Sequence, residues 1–253
     1  NKYKRYHMKN LSKNVLVTGA GKGIGETTVK LLLSRGHFVY ALIKNKKDNT
    51  KFKNFSNISI INGNVNNDKL IEKIFTTSNR NNRIITGLVN NAGIRQRKKF
   101  LDIKKKDLND VFQTNYLSIF KNMQIFSRNL IKKKLPGSIV NISSIVGQIG
   151  FEELTSYGST KGAVNSLTKC FAVEMAKKKI RANCVSPGFT KTSYFKSFKK
   201  NKKKLYSWTL SRIPQNRWGE PNEISELIYF LISDNSNYIT GENINIDGGW
   251  LGA

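Results

Sequence analysis

A tyrosine and a lysine four positions apart are the side chains of this sequence best suited to proton transfer. Tyr157 and Lys161 belong to Tyr-Gly-Ser-Thr-Lys, a segment expected at the start of a helix. Residues four apart share one helical face, so the ammonium can lie near the phenol. A free phenol has a pKa of about 10, and a nearby cation stabilises the phenolate. The pair is a candidate general acid and base, although a lone Y-x-x-x-K more often marks a solvated helix face.

A glycine-rich turn follows the first predicted strand and leads into a helix. It reads Thr-Gly-Ala-Gly-Lys-Gly-Ile-Gly, with Gly19, Gly23 and Gly25 spaced G-x-x-x-G-x-G rather than G-x-G-x-x-G. Glycines allow a positive φ and a close approach to pyrophosphate, and a helix N-terminus offers free N–H groups to the anion. Between a strand and a helix, this turn predicts a dinucleotide site rather than only a structural bend.

The end of the second predicted strand bears on the choice between NAD and NADP. A carboxylate there accepts a hydrogen bond from the ribose of NAD and repels the 2′-phosphate of NADP. This sequence has Ile43-Lys44 at that point, with no acid at hand, and Lys22 comes from the glycine turn. Two cations flanking a 2′-phosphate favour NADP(H), with NAD(H) as the other cofactor to consider. The alternative is that both lysines belong to the general lysine excess.

Short apolar runs alternate with amphipathic stretches along the chain. This alternation predicts an α/β fold: a Rossmann-type, doubly wound parallel sheet of about seven strands with helices on both faces, in three layers. Helices are predicted over Gly25–Ser34, Val111–Leu130 and Lys161–Lys177. The predicted strands are Val15–Thr18, Phe38–Ile43, Ile58–Ile61, Thr86–Asn90, Ile139–Ile142, Ala182–Ser186 and Ile244–Ile246.

The 253 residues fit one α/β domain, predicted over residues 9–253, with residues 1–8 as a tag or disordered extension. Lys and Arg number 44 against 16 Asp and Glu, a net charge of +28. The lysines are scattered through every segment, which favours a compositional bias and a solvated surface over nucleic-acid binding. Thr190–Ser211 is the least sheet-like part, and its basic segment 195–208 could be a lid, a docking surface or a solvated helix.

The remaining composition narrows the classes of protein further. No apolar run approaches the roughly 20 residues of a membrane span, so no membrane partner is expected. Cys170 and Cys184 lie in apolar segments with no metal or disulfide spacing, which fits a reducing cytoplasm. His7 and His37 are the only histidines, so no metal site is predicted.

Several motifs in one order give the Tyr–Lys pair its meaning. Taken together, the sequence resembles the short-chain dehydrogenase/reductase family across Asn10–Ala253, which implies hydride exchange between a nicotinamide cofactor and a carbonyl or alcohol. The motifs that carry the resemblance are Thr18–Gly25, Asn90–Gly93, Asn115, Ser144, Tyr157 with Lys161, and Pro187-Gly188.

The resemblance implies a role for each of these residues. Tyr157 would be the general acid and base, and Lys161 its activator, which also grips the nicotinamide ribose. Ser144 would hydrogen-bond the substrate oxygen, and Asn115 would hold a water that relays protons to Lys161. The sequence departs from the family at Asn64-Val65, where many members have Asp-Val beside the adenine. The predicted cofactor-binding residues are Gly19, Lys22, Gly23, Ile24, Gly25, Lys44, Asn64, Val65, Asn91, Ala92, Gly93, Tyr157, Lys161, Pro187, Gly188, Thr190 and Thr192.

Two substrate classes and one non-enzymatic function stay open at this point. The motif spacing resembles 3-oxoacyl-carrier-protein reductases, which act on a carrier-linked carbonyl. The segments around Arg95 and Arg97, Arg212–Gly219 and the C-terminal Asp-Gly-Gly-Trp-Leu are similar to gluconate 5-dehydrogenase-like enzymes, where an arginine or Lys191 would meet a substrate carboxylate. Trp218 and Trp250 are equally expected as core or interface aromatics. A non-catalytic, nucleic-acid-binding regulator is the third alternative, and the family resemblance implies a homotetramer.

Overall fold

One parallel sheet organises the chain. The computed structural model describes residues 12–253, so the predicted extension at residues 1–8 lies outside the described residues. In the described part seven strands pair in the order β3-β2-β1-β4-β5-β6-β7, every pair parallel. The strands are β1 (Asn14–Thr18), β2 (Phe38–Ile43), β3 (Ile58–Asn62), β4 (Ile85–Asn90), β5 (Gly137–Ile142), β6 (Ile180–Pro187) and β7 (Asn243–Ile246). All seven predicted strands are confirmed.

Helices cover both faces of this sheet, which confirms the predicted three-layer fold. The α-helices of the described residues are α1 (Gly23–Ser34), α2 (Asp68–Arg80), α3 (Lys105–Phe112), α4 (Ser118–Lys133), α5 (Thr155–Met175), α6 (Phe195–Asn201), α7 (Lys203–Arg212) and α8 (Pro221–Ile232). A π-helical turn, Gln113–Leu117, joins α3 to α4. Helices α2 and α8 were not predicted, and the predicted helix Val111–Leu130 covers only the last two residues of α3.

Successive residues of β1 point into different cores, as the pleat of a strand requires. Val15 and Val17 pack under α1 and α8, whereas Leu16 packs under α2, α4 and α5. All three side chains are fully buried. Because both faces are covered, β1 reads as a continuous apolar run rather than an alternating one. The order of strands reverses between β1 and β4, and ligands of open α/β sheets bind where such a reversal opens a crevice.

A separate aromatic cluster holds α6 and α7 against the body of the protein. Trp218 is fully buried at its centre, and its indole N–H donates to Thr209 Oγ1 of α7 at 2.8 Å. Phe195 and Phe198 of α6 lie 5.2 and 5.1 Å from the Trp218 ring, centroid to centroid. Trp250 is buried in the same cluster. Both tryptophans are therefore core aromatics, which is one of the two alternatives expected for them, and segment 195–208 is largely helical.

Candidate active site

A cavity of about 950 Å³ opens at the carboxyl ends of the central strands, beside the point where the strand order reverses. Most of the predicted site residues line it, although they come from seven separate segments of the sequence. They are Gly19, Lys22, Gly23, Ile24, Lys44, Asn64, Val65, Asn91, Ala92, Gly93, Ser144, Tyr157, Pro187, Gly188, Thr190 and Thr192. The other three, Gly25, Asn115 and Lys161, are buried in the surrounding structure.

The glycine turn is held in a conformation that needs its glycines. Gly19 and Gly23 have φ of +65° and +57°, a region that side chains disfavour. The Asn91 amide, at the end of β4, donates to the carbonyls of Thr18 and Gly19 at 3.0 Å each. A Cβ on Gly25 would lie 2.3 Å from the Gly19 carbonyl oxygen, so only glycine fits there. Asn91 therefore fixes the turn while also lining the cavity.

The cavity has the features that a dinucleotide requires. Gly23 and Ile24, the first residues of α1, line it, so a helix N-terminus faces the space where a pyrophosphate would bind. On the opposite side, Thr192 lies close to the turn, since a Cβ on Gly23 would be 3.3 Å from the Thr192 Cβ. The narrow gap between a helix start and a hydroxyl-bearing loop fits the phosphates of NAD or NADP.

Tyr157 and Ser144 meet on the wall of this cavity. The Ser144 hydroxyl accepts a hydrogen bond from the Val146 amide at 3.2 Å, which fixes the serine just beyond β5. Burial raises the pKa of the Tyr157 phenol, while the Arg95 guanidinium and the neighbouring Ser144 hydroxyl act to lower it. At neutral pH the phenol therefore holds its proton and can give it to an oxygen bound in the cavity.

Lys161 lies behind the tyrosine, on the same face of α5. Its ammonium is 5.5 Å from the centre of the Tyr157 ring and donates to the Ile142 carbonyl at 2.7 Å. Burial lowers the pKa of Lys161 to about 8. The predicted neighbourhood of phenol and ammonium is therefore present, with the ammonium already anchored to β5.

Asn115 is fully buried in the π-helical turn and uses its side chain to hold the next loop. Its carbonyl accepts from the Ile94 amide and its N–H₂ donates to the Ile94 carbonyl, both at 2.8 Å. A further N–H lies 3.2 Å from Thr160 Oγ1. Asn115 thus joins the loop after β4 to α5, and the water relay stays a prediction.

Arg95 lies in surroundings that the sequence does not predict. The sequence suggests Arg95 only as a partner for a substrate carboxylate; in the structure it lines the cavity, and its charge acts to lower the pKa of Tyr157. Its guanidinium lies 3.4 Å from the Tyr194 hydroxyl and 5.7 Å from the centre of that ring. Within residues 12–253 it forms no ion pair, whereas Arg97 pairs with Glu153 at 3.2 Å and Lys191 pairs with Glu220.

At the expected adenosine end of the cavity, Asn64 and Asp48 make contacts that the sequence does not predict. Asn64 lines the cavity, but its side-chain oxygen accepts from the Asn66 amide at 3.1 Å and so closes a turn. The end of β2 itself has no acid, as the sequence shows, but a 3-10 turn that follows brings Asp48 against Gly21. Lys22 and Lys44 are both exposed on the cavity wall, as expected.

Comparisons with known proteins agree with this geometry. The model of a family described as enoyl-(acyl carrier protein) reductase matches residues 19–251. The chain is 34% identical over 239 residues to the 3-oxoacyl-(acyl-carrier-protein) reductase FabG of Vibrio harveyi, covering 94% of this chain and 96% of FabG. It is 35% identical over 164 residues to the 5-keto-D-gluconate 5-reductase of Escherichia coli (strain K12), covering 65% of this chain and 64% of that protein.

Solved structures give the same picture. ElxO with NADP bound has a TM-score of 0.90 at 33% identity, over 96% of this chain and 100% of that chain. A 4-hydroxyisoleucine dehydrogenase complexed with NADH has a TM-score of 0.90 at 30% identity, with the same coverage.

Among residues 12–253, no cluster of His, Cys, Asp and Glu could hold a metal ion, and no helix has the length and apolarity to cross a bilayer.

Proposed function

The chain belongs to the short-chain dehydrogenase/reductase family of oxidoreductases, and from that premise we propose that it is an NADP(H)-preferring enzyme that interconverts a carbonyl and a secondary alcohol. The observation that carries the proposal is the meeting of Tyr157 and Ser144 with the glycine turn in one cavity. We further propose that the substrate is a 3-oxoacyl thioester, since FabG matches nearly the whole chain.

The residues divide the work of the reaction between them. The dinucleotide, when bound, exchanges a hydride with the substrate carbon. In reduction, Tyr157 gives its proton to the oxygen that becomes an alkoxide, and Ser144 donates a hydrogen bond to the same oxygen. Lys161 holds positive charge beside the phenol as its proton leaves. In oxidation, the phenolate of Tyr157 takes the proton back from the alcohol.

A sugar acid is the second candidate substrate, and Arg95 is the observation that favours it. Arg95 lines the cavity and, among the described residues, its guanidinium has no carboxylate partner. The Arg95 side chain is exposed to the cavity opening, and an arginine matches a carboxylate in two hydrogen bonds. A keto-gluconate carries such a carboxylate on the same short carbon chain as its reacting carbonyl.

The substrate classes are separated by one panel assayed through NADPH oxidation. We expect turnover with an uncharged acetoacetyl thioester such as the N-acetylcysteamine ester, and weaker or no turnover with 5-keto-gluconate. Faster turnover of 5-keto-gluconate than of the thioester would support the sugar-acid class instead, provided that Arg95→Gln loses the activity on 5-keto-gluconate. Absence of turnover on every carbonyl, together with tight and salt-sensitive DNA binding, would contradict an enzymatic function and support a regulator.

The proposed cofactor preference rests on Lys44, which borders the cavity beside Lys22. Lys44→Asp is expected to weaken NADPH binding on the order of tenfold or more, because a carboxylate repels the 2′-phosphate, and to weaken NADH much less. Binding measured by the change in nicotinamide fluorescence checks this result. Lys53→Asp, which carries the same charge change on the exposed residue after the 3-10 turn, is the control. An equal loss of both cofactors in Lys44→Asp would contradict the assignment.

Arg95 also gives a prediction about pH. Because its charge lowers the pKa of Tyr157, Arg95→Met leaves that pKa higher. Oxidation needs the phenolate, so the rise of the alcohol oxidation rate with pH should shift to higher pH in the variant. Reduction needs the protonated phenol, so the fall of the carbonyl reduction rate at alkaline pH should also shift to higher pH. Arg97→Met is the control, and an unshifted Arg95→Met profile would show that the two groups do not interact.

We also propose that the enzyme works as a homotetramer in the cytoplasm. Large apolar side chains support an assembly, since Leu101 and Val173 are 93% and 82% exposed. The free thiols Cys170 and Cys184 fit a reducing compartment, although Cys170 is exposed rather than packed as expected. Light scattering should give a mass four times the 28.7 kDa of one chain. A monomer at micromolar concentration would contradict the assembly.

A further inference from the structure

The 3-10 turn after β2, Lys46–Phe52, folds back onto the glycine turn through one lysine. The Lys51 ammonium donates to the Gly21 carbonyl at 2.6 Å and to a Glu26 oxygen at 3.0 Å. It also forms an ion pair with Asp48 at 3.0 Å. One cation therefore links the turn after β2, the glycine turn and the first turn of α1.

One of these two carboxylates, Asp48, lies against the glycine turn that carries a predicted phosphate-binding lysine. Asp48 packs on Gly21 so closely that a Cβ there would lie 2.8 Å from a carboxylate oxygen. Gly21 directly precedes Lys22, and Asp48 follows Lys44 by four residues. Both lysines line the cavity. An uncompensated negative charge on Asp48, next to the glycine turn, would therefore oppose the binding of a phosphate by Lys22 and Lys44.

Lys51 compensates these carboxylates. The side chains of Lys51, Asp48 and Glu26 are only 33%, 25% and 20% exposed, so water screens their charges incompletely. Lys30 pairs with the other oxygen of Glu26 at 2.7 Å, but Asp48 has Lys51 as its only ion-pair partner among residues 12–253. Removing the Lys51 charge would thus leave the negative charge of Asp48 without an ion-pair partner, whereas Glu26 would keep Lys30.

We propose that Lys51 is a positioning and charge-compensating residue that permits NADP(H) to bind despite the acid beside the glycine turn. It fixes the turn through the Gly21 carbonyl and neutralises Asp48, so that Lys22 and Lys44 present a net positive site to the 2′-phosphate. The proposal rests on the NADP(H) preference proposed above. It differs from that preference in assigning a role to a residue that need not touch the cofactor.

The test measures dissociation constants of NADPH and NADH by fluorescence titration for four proteins. These are the wild type, Lys51→Met, Lys51→Met with Asp48→Asn, and Lys53→Met. We expect Lys51→Met to raise the Kd of NADPH on the order of tenfold and that of NADH by less than about threefold, because only NADPH carries the extra phosphate charge. Adding Asp48→Asn should restore most of the NADPH affinity. Lys53→Met, an equal loss of charge on the exposed residue next to the turn, should change neither constant by more than about twofold.

The outcomes separate this inference from the cofactor preference itself. Equal constants for NADPH and NADH in the wild type would contradict the preference, whereas the change in their ratio on Lys51→Met tests Lys51 alone. An unchanged ratio would overturn the role of Lys51, whether or not both constants rise together. If the double variant melts at the wild-type temperature but does not regain NADPH affinity, the role assigned to Asp48 would be overturned.

Discussion

Tyr157→Phe is expected to abolish turnover while NADPH still binds with an affinity within about threefold of the wild type. The substitution removes the hydroxyl that gives the proton and keeps the ring that lines the cavity. General acid catalysis contributes roughly a hundredfold to ten-thousandfold, and no other acid of the described residues is assigned to this oxygen. We therefore expect kcat to fall by about a thousandfold, a barrier increase of roughly 4 kcal/mol.

The result is checked by steady-state NADPH oxidation and, separately, by fluorescence titration of the cofactor. Tyr194→Phe is a matched control, because Tyr194 also lines the cavity and contacts Arg95 but is assigned no proton transfer. Undiminished rates in Tyr157→Phe would show that another group supplies the proton.

Gly25→Ala is expected to remove most of the cofactor binding. A Cβ at this position would lie 2.3 Å from the Gly19 carbonyl oxygen and 2.5 Å from the Asn91 amide nitrogen. Both are held by hydrogen bonds between the glycine turn and β4, so the turn must open to admit one methyl group. Overpacking of this kind costs about 1–3 kcal/mol, and a displaced turn loses its contacts to the pyrophosphate. We expect the Kd of NADPH to rise on the order of a hundredfold.

Gly252→Ala is the control for this variant, because a Cβ on Gly252 meets no atom within 4 Å. Both proteins should be compared by thermal melting with and without NADPH. The wild type and Gly252→Ala should gain stability from the cofactor, since a ligand that binds only the native state stabilises it. An equal gain in Gly25→Ala would contradict the assignment of this turn to the cofactor.

The sheet could be predicted from the sequence because a strand covered on both faces is a short run of apolar residues. Two of the helices that were not predicted, α2 and α8, had weaker but usable signals. In α2, Asn67 caps the first turn and Ile71, Ile74 and Phe75 are buried at helical spacing. In α8, Pro221 follows Glu220, and the apolar run that comes after resembles a strand as much as a helix.

The site divides in a similar way. Local motifs predicted the glycine turn and the pair on α5, because their geometry is fixed within a few residues. The pairing of charges could not be predicted, since it depends on contacts between distant segments. Arg95 and Arg97 are two residues apart in sequence, yet Arg97 pairs with Glu153 while Arg95 contacts Tyr194. Asp48 was missed for the same reason, because only the fold of the 3-10 turn brings it to Gly21.

The most direct test of the central claim is a crystal structure of this protein with NADP⁺ bound. The account predicts that the nicotinamide C4 lies about 5 Å from the Tyr157 hydroxyl, leaving room for one carbonyl group between them. It also predicts the pyrophosphate at the start of α1 and the 2′-phosphate beside Lys22 and Lys44. A dinucleotide bound with its nicotinamide away from Tyr157 and Lys161 would contradict the proposed chemistry.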